Sequence, residues 1–175
     1  AGWTQRSIGG TPTDLDLSIF LLDRTDQTRI DEDFIFYNNR EGAGGAIVHK
    51  GDSRTGAGDG DDEQIEIDLT GISFEVLKLL FVFSIYDEQY EGFNFGQIRD
   101  LYIRFENLET RRELFRFNIP EEMIEKGMAL KAGVLIREGP EWIFEAKPEL
   151  VEGELAQVAT EYGIIVKELQ STGAD

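Results

Sequence analysis

Alternation with a period of two is the feature that most limits what this chain can become. In residues 14–22, DLDLSIFLL, Leu15, Leu17, Ile19 and Leu21 are separated by Asp14, Asp16 and Ser18, so a strand there has one apolar and one polar face. Phe34 and Phe36 alternate with Asp33, Ile35 and Tyr37, and Ile65, Ile67 and Leu69 alternate with Gln64, Glu66 and Asp68. Residues 76–86, VLKLLFVFSIY, are apolar nearly throughout and rich in Val, Ile and aromatics, the pattern of a central strand covered on both faces. Segments 97–105, 113–119, 128–137 and 141–147 predict four further strands, with Gly139-Pro140 as a tight turn between the last two. A helix is predicted over 153–162, with Leu155, Val158, Ala159 and Tyr162 on one face and Gly163 stopping it. Short strands, short turns and one or two short helices predict a mainly β fold, a β-sandwich of two sheets with acidic loops at one end.

Length and charge narrow the function. At 175 residues, with no internal repeat or linker, the chain is expected to form one domain over 1–175. Its 35 Asp+Glu against 17 Lys+Arg give a formal charge of −18, which repels phosphate and argues against nucleic acid and anionic membranes as partners. No cysteine is present, so thiolate metal sites and thiol reduction by this chain are excluded, and the single His49 leaves no histidine cluster. No apolar run is long enough for a transmembrane segment and no basic leader pattern precedes one, so a cytoplasmic location is expected.

The two acidic residue types are segregated. Eleven of the 14 Asp lie in residues 1–68, whereas 17 of the 21 Glu lie in 69–175. Asp suits turns and rigid oxygen-donor loops. Seven glycines fall in residues 42–60 beside it. The focus is 51–63, GDSRTGAGDGDDE, where Asp52, Asp59, Asp61, Asp62 and Glu63 are opposed within the segment by Arg54 alone. Two carboxylates about 4 Å apart repel by roughly 4 kcal/mol at an effective dielectric near 20. A packed loop therefore requires compensating positive charge, and without thiols the chemistry favours a hard dication such as Ca²⁺. A solvated acidic loop is the competing reading. An EF-hand is excluded: counting from Asp52, Arg54 and Gly56 occupy ligand positions and Ala57 the turn glycine's place.

The ordered set DLDLSIFLLD (14–23), DFIFYNN (33–39), GDSRTGAGDGDDEQIEIDL (51–69), FVFSIYD (81–87), FGQIRDLYIR (95–104), ELFRFNI (113–119) and EWIFEA (141–146) resembles the TerD family of tellurium-resistance and stress-response proteins. The resemblance implies a β-sandwich binding two Ca²⁺ ions in adjacent acidic loops. It also implies a cytoplasmic protein, peripheral to the inner membrane in some members, that works with other Ter-type stress-response proteins and is not an enzyme. Carried over by position, the implied ligands are Asp14, Asp16, Asn38, Asp52, Asp59, Asp61, Asp62 and Glu63, with Asp33 either a ligand or a residue that orients a neighbour. The chain departs from the family in lacking the usual strand ahead of Gly2-Trp3, and in its GVLIREG (133–139) and AKPEL (146–150) stretches.

Three further features have structural alternatives. His49 reads as a strand-end histidine bonded to backbone, or as a ligand. Trp3, Trp142 and Phe144 read as core, or as a stacking face. Arg99, Arg104, Arg111, Arg112 and Arg116 read as charge balance for Glu106, Glu109 and Glu113, or as a docking site for an anion. Two function classes follow: a non-catalytic Ca²⁺-binding module, or a metal-dependent phosphoesterase using the same acidic cluster. The second lacks any Ser/His or Cys/His pairing and any phosphate-binding Gly-Lys motif.

Overall fold

The computed structural model describes residues 1–5, 15–52, 60–85, 95–124 and 127–165. Among the expected ligands, Asp14 and Asp59 lie outside the described residues, as does the side chain of Asp52.

Where alternation or an unbroken apolar run is strongest, the strands form as expected. β2 (Leu15–Leu22) and β7 (Lys78–Ile85) pair antiparallel through the middle of a five-stranded sheet, with Leu17 opposite Phe83 and Ile19 opposite Phe81. β10 (Ala129–Glu138) flanks β7, β11 (Glu141–Val151) forms that edge, and the short β3 (Phe34–Ile35) pairs with β2 at the other, giving the order β11-β10-β7-β2-β3. Gly139 and Pro140 close the β10–β11 hairpin between the paired Glu138 and Glu141. Gly139 has φ +59°, a left-handed value that suits the first residue of a two-residue hairpin turn.

Two three-stranded sheets cover one face of that layer. One has the order β1-β8-β9, from β1 (Gly2–Gln5), β8 (Ile98–Asn107) and β9 (Arg112–Asn118); the other has β4-β5-β6, from β4 (Glu41–Gly42), β5 (Ile47–Asp52) and β6 (Glu63–Ile67). The sandwich therefore has one continuous layer and one divided layer. Leu17, Ile19, Phe81 and Phe83 face inward and pack with Ile47, Leu101 and Ile103 in a single core. Fully burying side chains of this kind stabilises the fold by roughly 1.5–3 kcal/mol each.

The outer face of the five-stranded sheet is covered by the helix that the sequence predicts. α1 (Leu155–Glu161) lays Val158 and Ala159 on Phe20, Leu22, Leu80 and Val82. Glu154 and Gln157 form a reciprocal capping box at its start, and Gly163 follows it with φ +92°. Among the described residues, no helix is long and apolar enough to cross a membrane.

Candidate functional site

The acidic residues singled out by the sequence are divided among three places. Asp33 precedes β3 and is 1% exposed. Its Oδ2 accepts from the backbone N and Nε of Arg29 at 3.0 and 2.9 Å, and its Oδ1 from Nη2 at 3.0 Å. That two-pronged clamp pins the chain entering β3.

Asp61, Asp62 and Glu63 lead into β6, and each is held by protein groups. Asp61 accepts from Arg104 Nε at 2.9 and 3.0 Å, from Nη2 at 2.6 Å, and from the Tyr102 hydroxyl at 2.8 Å. Partial burial would raise the Asp61 pKa, but the hydrogen bonds from Arg104 and Tyr102 outweigh it and hold the carboxyl below the ordinary range. Burial and the bond to Asp61 push the Tyr102 hydroxyl up to about 12. Asp62 accepts from the Trp3 backbone N at 2.9 Å, and the backbone N of Asp62 donates to the Ala1 carbonyl at 2.7 Å. Glu63 is 1% exposed, and its Oε2 lies 3.1 Å from Nε2 of the equally buried His49.

His49 explains the local geometry. Nε2 lies 2.8 Å from the Leu17 carbonyl, which can only accept, while Nδ1 takes the Gly51 backbone N–H at 2.9 Å. These partners select the Nε2–H tautomer. The ring thus ties β5 to β2 through backbone groups, as the structural reading of this residue anticipated. Burial opposes charging it, but the Glu63 carboxylate and the Leu17 carbonyl outweigh that and raise its pKa. Glu63 Oε2 thus shares the Nε2 side of the ring with the Leu17 carbonyl.

The third place is a cavity of about 530 Å³ between α1 and the chain around β3. Asp16 and Asn38 both line it. Asp16 sits opposite Ser84 in the β2–β7 ladder, on the face turned toward α1, and Asn38 lies in the turn after β3. Asp31, Glu32 and Asn39 add further oxygen donors, and Phe34, Phe36, Leu155 and Ala159 supply apolar wall. Among the described residues, no Lys, Arg or His lines the cavity. Asn39 braces the turn by donating from Nδ2 to the Phe34 carbonyl at 2.8 Å. Thus Asp16 and Asn38, distant in sequence, meet in one cavity, whereas Asp61, Asp62 and Glu63 face a different set of partners. Oxygen donors without sulfur or imidazole fit a hard dication. Among the described residues, no group of three or more His, Cys, Asp or Glu is placed to hold a metal ion by itself.

The remaining candidates take structural roles. Arg104 also reaches Glu106 at 3.1 Å, Arg111 reaches Glu106 at 3.3 Å, and Arg116 reaches Glu113 at 2.8 Å, so these arginines balance charge on β8 and β9. Phe144 packs on Phe81, Phe105 and Phe115, Trp3 packs on the core, and Arg137 covers Trp142 at 4.4 Å. Sequence reasoning missed Arg104 as the partner of Asp61, although it singled out both residues. It also missed the cavity, whose only sequence signal was the apolar face of the helix.

The TerD domain family model matches residues 1–162. The chain is 42% identical over 167 residues to general stress protein 16U of Bacillus subtilis, covering 94% of this chain and 86% of that protein. It is also 42% identical over 163 residues to tellurium resistance protein TerD of Serratia marcescens, covering 93% and 84%. The fold matches that of a Streptomyces coelicolor homologue of telluride resistance protein TerD, with a TM-score of 0.71 at 18% identity over 94% of this chain and 95% of that one. This chain belongs to the TerD-domain family of tellurium-resistance and stress-response proteins.

Proposed function

We propose that the protein is a non-catalytic Ca²⁺-binding module of the tellurite and chemical stress response, acting in the cytoplasm or at the inner membrane face. The ion orders the acidic surface, which is then presented to other stress-response proteins of the Ter type. The observation that carries this reading is that Asp16 and Asn38 line one cavity together with further carboxylate and amide oxygens. Ca²⁺ takes roughly 6–8 oxygen ligands in flexible geometry, so side-chain and backbone oxygens of this kind suit it. Asp14, Asp52 and Asp59 are the expected further donors. Asp33, Asp61, Asp62 and Glu63 serve as the frame, since Arg29, Arg104, Trp3 and His49 already engage them.

A binding role suits the chemistry better than hydrolysis. A general base needs a ring nitrogen or carboxylate free to take a proton from substrate. Both nitrogens of the sole histidine are engaged by backbone groups. The acidic cavity also has the wrong charge for an oxyanion such as tellurite.

Thermal unfolding of chelator-stripped protein tests the proposal. Calcium should raise the melting temperature well above the effect of equal magnesium, with no phosphoester turnover in Ca²⁺, Mg²⁺ or Mn²⁺. Equal shifts for the two ions would contradict a dedicated calcium site, and turnover would contradict the non-catalytic reading.

A further inference from the structure

Each nitrogen of the His49 ring holds a different part of the chain. Nε2 lies 2.8 Å from the Leu17 carbonyl and 3.1 Å from Glu63 Oε2, contacts that join β5 to β2 and β6. Nδ1 accepts the Gly51 backbone N–H at 2.9 Å. That amide sits where the β5–β6 ladder is interrupted. His49 opposes Ile65, Gly51 opposes Gln64 and Asp52 opposes Glu63, so Lys50 is an extra residue in β5. Gly51 has φ +69°, the left-handed value that a glycine supplies at such a bulge. Without the extra residue the ladder would set Gly51 against Glu63 and Asp52 against Asp62. A one-residue slip of this kind exchanges the two faces of a strand. The buried His49 ring therefore bridges the bulge from one side, bonded to the amide that the shift leaves over.

We propose that His49 is a positioning residue for calcium, acting through Nδ1 and Gly51 on the register in which β5 delivers the backbone of Asp52. Asp52 is an expected donor under the calcium reading above, on which this role rests. Asp16 does not need the ring in the same way, because it is fixed opposite Ser84 within the β2–β7 ladder. The two nitrogens thus have separable roles: Nε2 serves stability and Nδ1 serves affinity. Groups that orient metal ligands from behind change affinity by about 10–100-fold when removed.

Asparagine and glutamine separate these roles, because the Asn side-chain oxygen reproduces Nδ1 and the Gln side-chain nitrogen reproduces Nε2. The experiment is calcium titration calorimetry on chelator-stripped wild type, His49→Gln and His49→Asn, with urea unfolding of the same samples. His49→Gln keeps a donor for Leu17 and Glu63 but offers no acceptor to Gly51. It should weaken calcium by about tenfold and be the more stable of the two variants. His49→Asn keeps the partner of Gly51 and leaves Leu17 and Glu63 unmatched. It should unfold at lower urea yet bind calcium with close to wild-type affinity. Wild-type affinity in His49→Gln, or an equal loss of affinity in both variants, would overturn the proposal. Should either variant fail to fold, Gly51→Ala decides, since it leaves both ring nitrogens partnered and strains the left-handed backbone of the bulge. Calcium should then weaken by a similar factor, and unchanged affinity would count against the role assigned to His49. A wild type that takes up no calcium would overturn the calcium reading itself and this role with it, whereas wild-type binding without the expected split overturns the role alone.

Discussion

The acidic stretch at the start of β6 and the wall of the cavity by α1 are built from the same residue types and behave in opposite ways. At β6, fixed donors face the carboxylates: Arg104 and Tyr102 on Asp61, the Trp3 amide on Asp62, and His49 beside Glu63. At the cavity, Asp16, Asp31 and Glu32 share the lining with apolar side chains and, among the described residues, with no cationic one. Carboxylates whose charge is met within the fold contribute to stability. Those that border the cavity are the ones we assign to recognition.

Substitutions can break or sharpen this division. The largest effect should come from His49→Ala, which leaves the Glu63 carboxylate buried without its partner and removes the link to Leu17. We expect a loss of about 3 kcal/mol or more in urea unfolding at neutral pH. A loss near zero would show that Glu63 does not need the ring.

Arg104→Leu should cost somewhat less, about 2 kcal/mol, because the Arg104–Asp61 pair is only partly buried. Asp61→Asn adds a pH signature. The folded fold holds the Asp61 carboxyl below its usual range, so its contribution is present above about pH 4 and lost as pH falls through the folded value. The gap between wild type and variant should be widest at neutral pH and close in acid. A gap that persists unchanged in acid would mean that packing, not charge, sets the effect.

At the alkaline end, Tyr102 should be the late tyrosine in a spectrophotometric titration, ionising near pH 12, and Tyr102→Phe should remove that step. With a raised folded pKa, the stability it contributes is complete below pH 10 and is lost as pH rises toward 12. The smallest effects belong to the cavity rim. Asp31→Asn and Glu32→Gln should stay within about 0.5 kcal/mol of wild type in the same unfolding experiments. A large loss at either position would erase the distinction between frame and rim.

Much of the fold was legible because β2 and β7 need no distant information. Alternation in β2 and the unbroken apolar run of β7 mark the two central strands, with Leu17, Phe81 and Phe83 on one face and Phe20, Leu80 and Val82 on the other. The Gly139-Pro140 turn and the Leu155–Tyr162 helix face were legible for the same local reasons. β1, β4 and β5 were not, because short strands with Gly or charge in them exist through pairing with distant segments. Gly2 pairs with Tyr102, and Asp52 with Glu63. The division of one expected sheet into two short ones follows from the same long-range pairing. At the site, the candidate residues were legible and their partners were not. Arg104 reads as the partner of its neighbour Glu106, which it is, but its contact with Asp61 spans 43 residues and carries no local signature.

Calcium titration calorimetry on chelator-stripped wild type, Asp16→Asn and Asp62→Asn tests the division most directly. The account predicts that Asp16→Asn loses a binding event seen in wild type, while Asp62→Asn retains every event with altered stability at most. Loss of binding in Asp62→Asn with full binding in Asp16→Asn would place the ion among the residues assigned here to the frame and contradict the account.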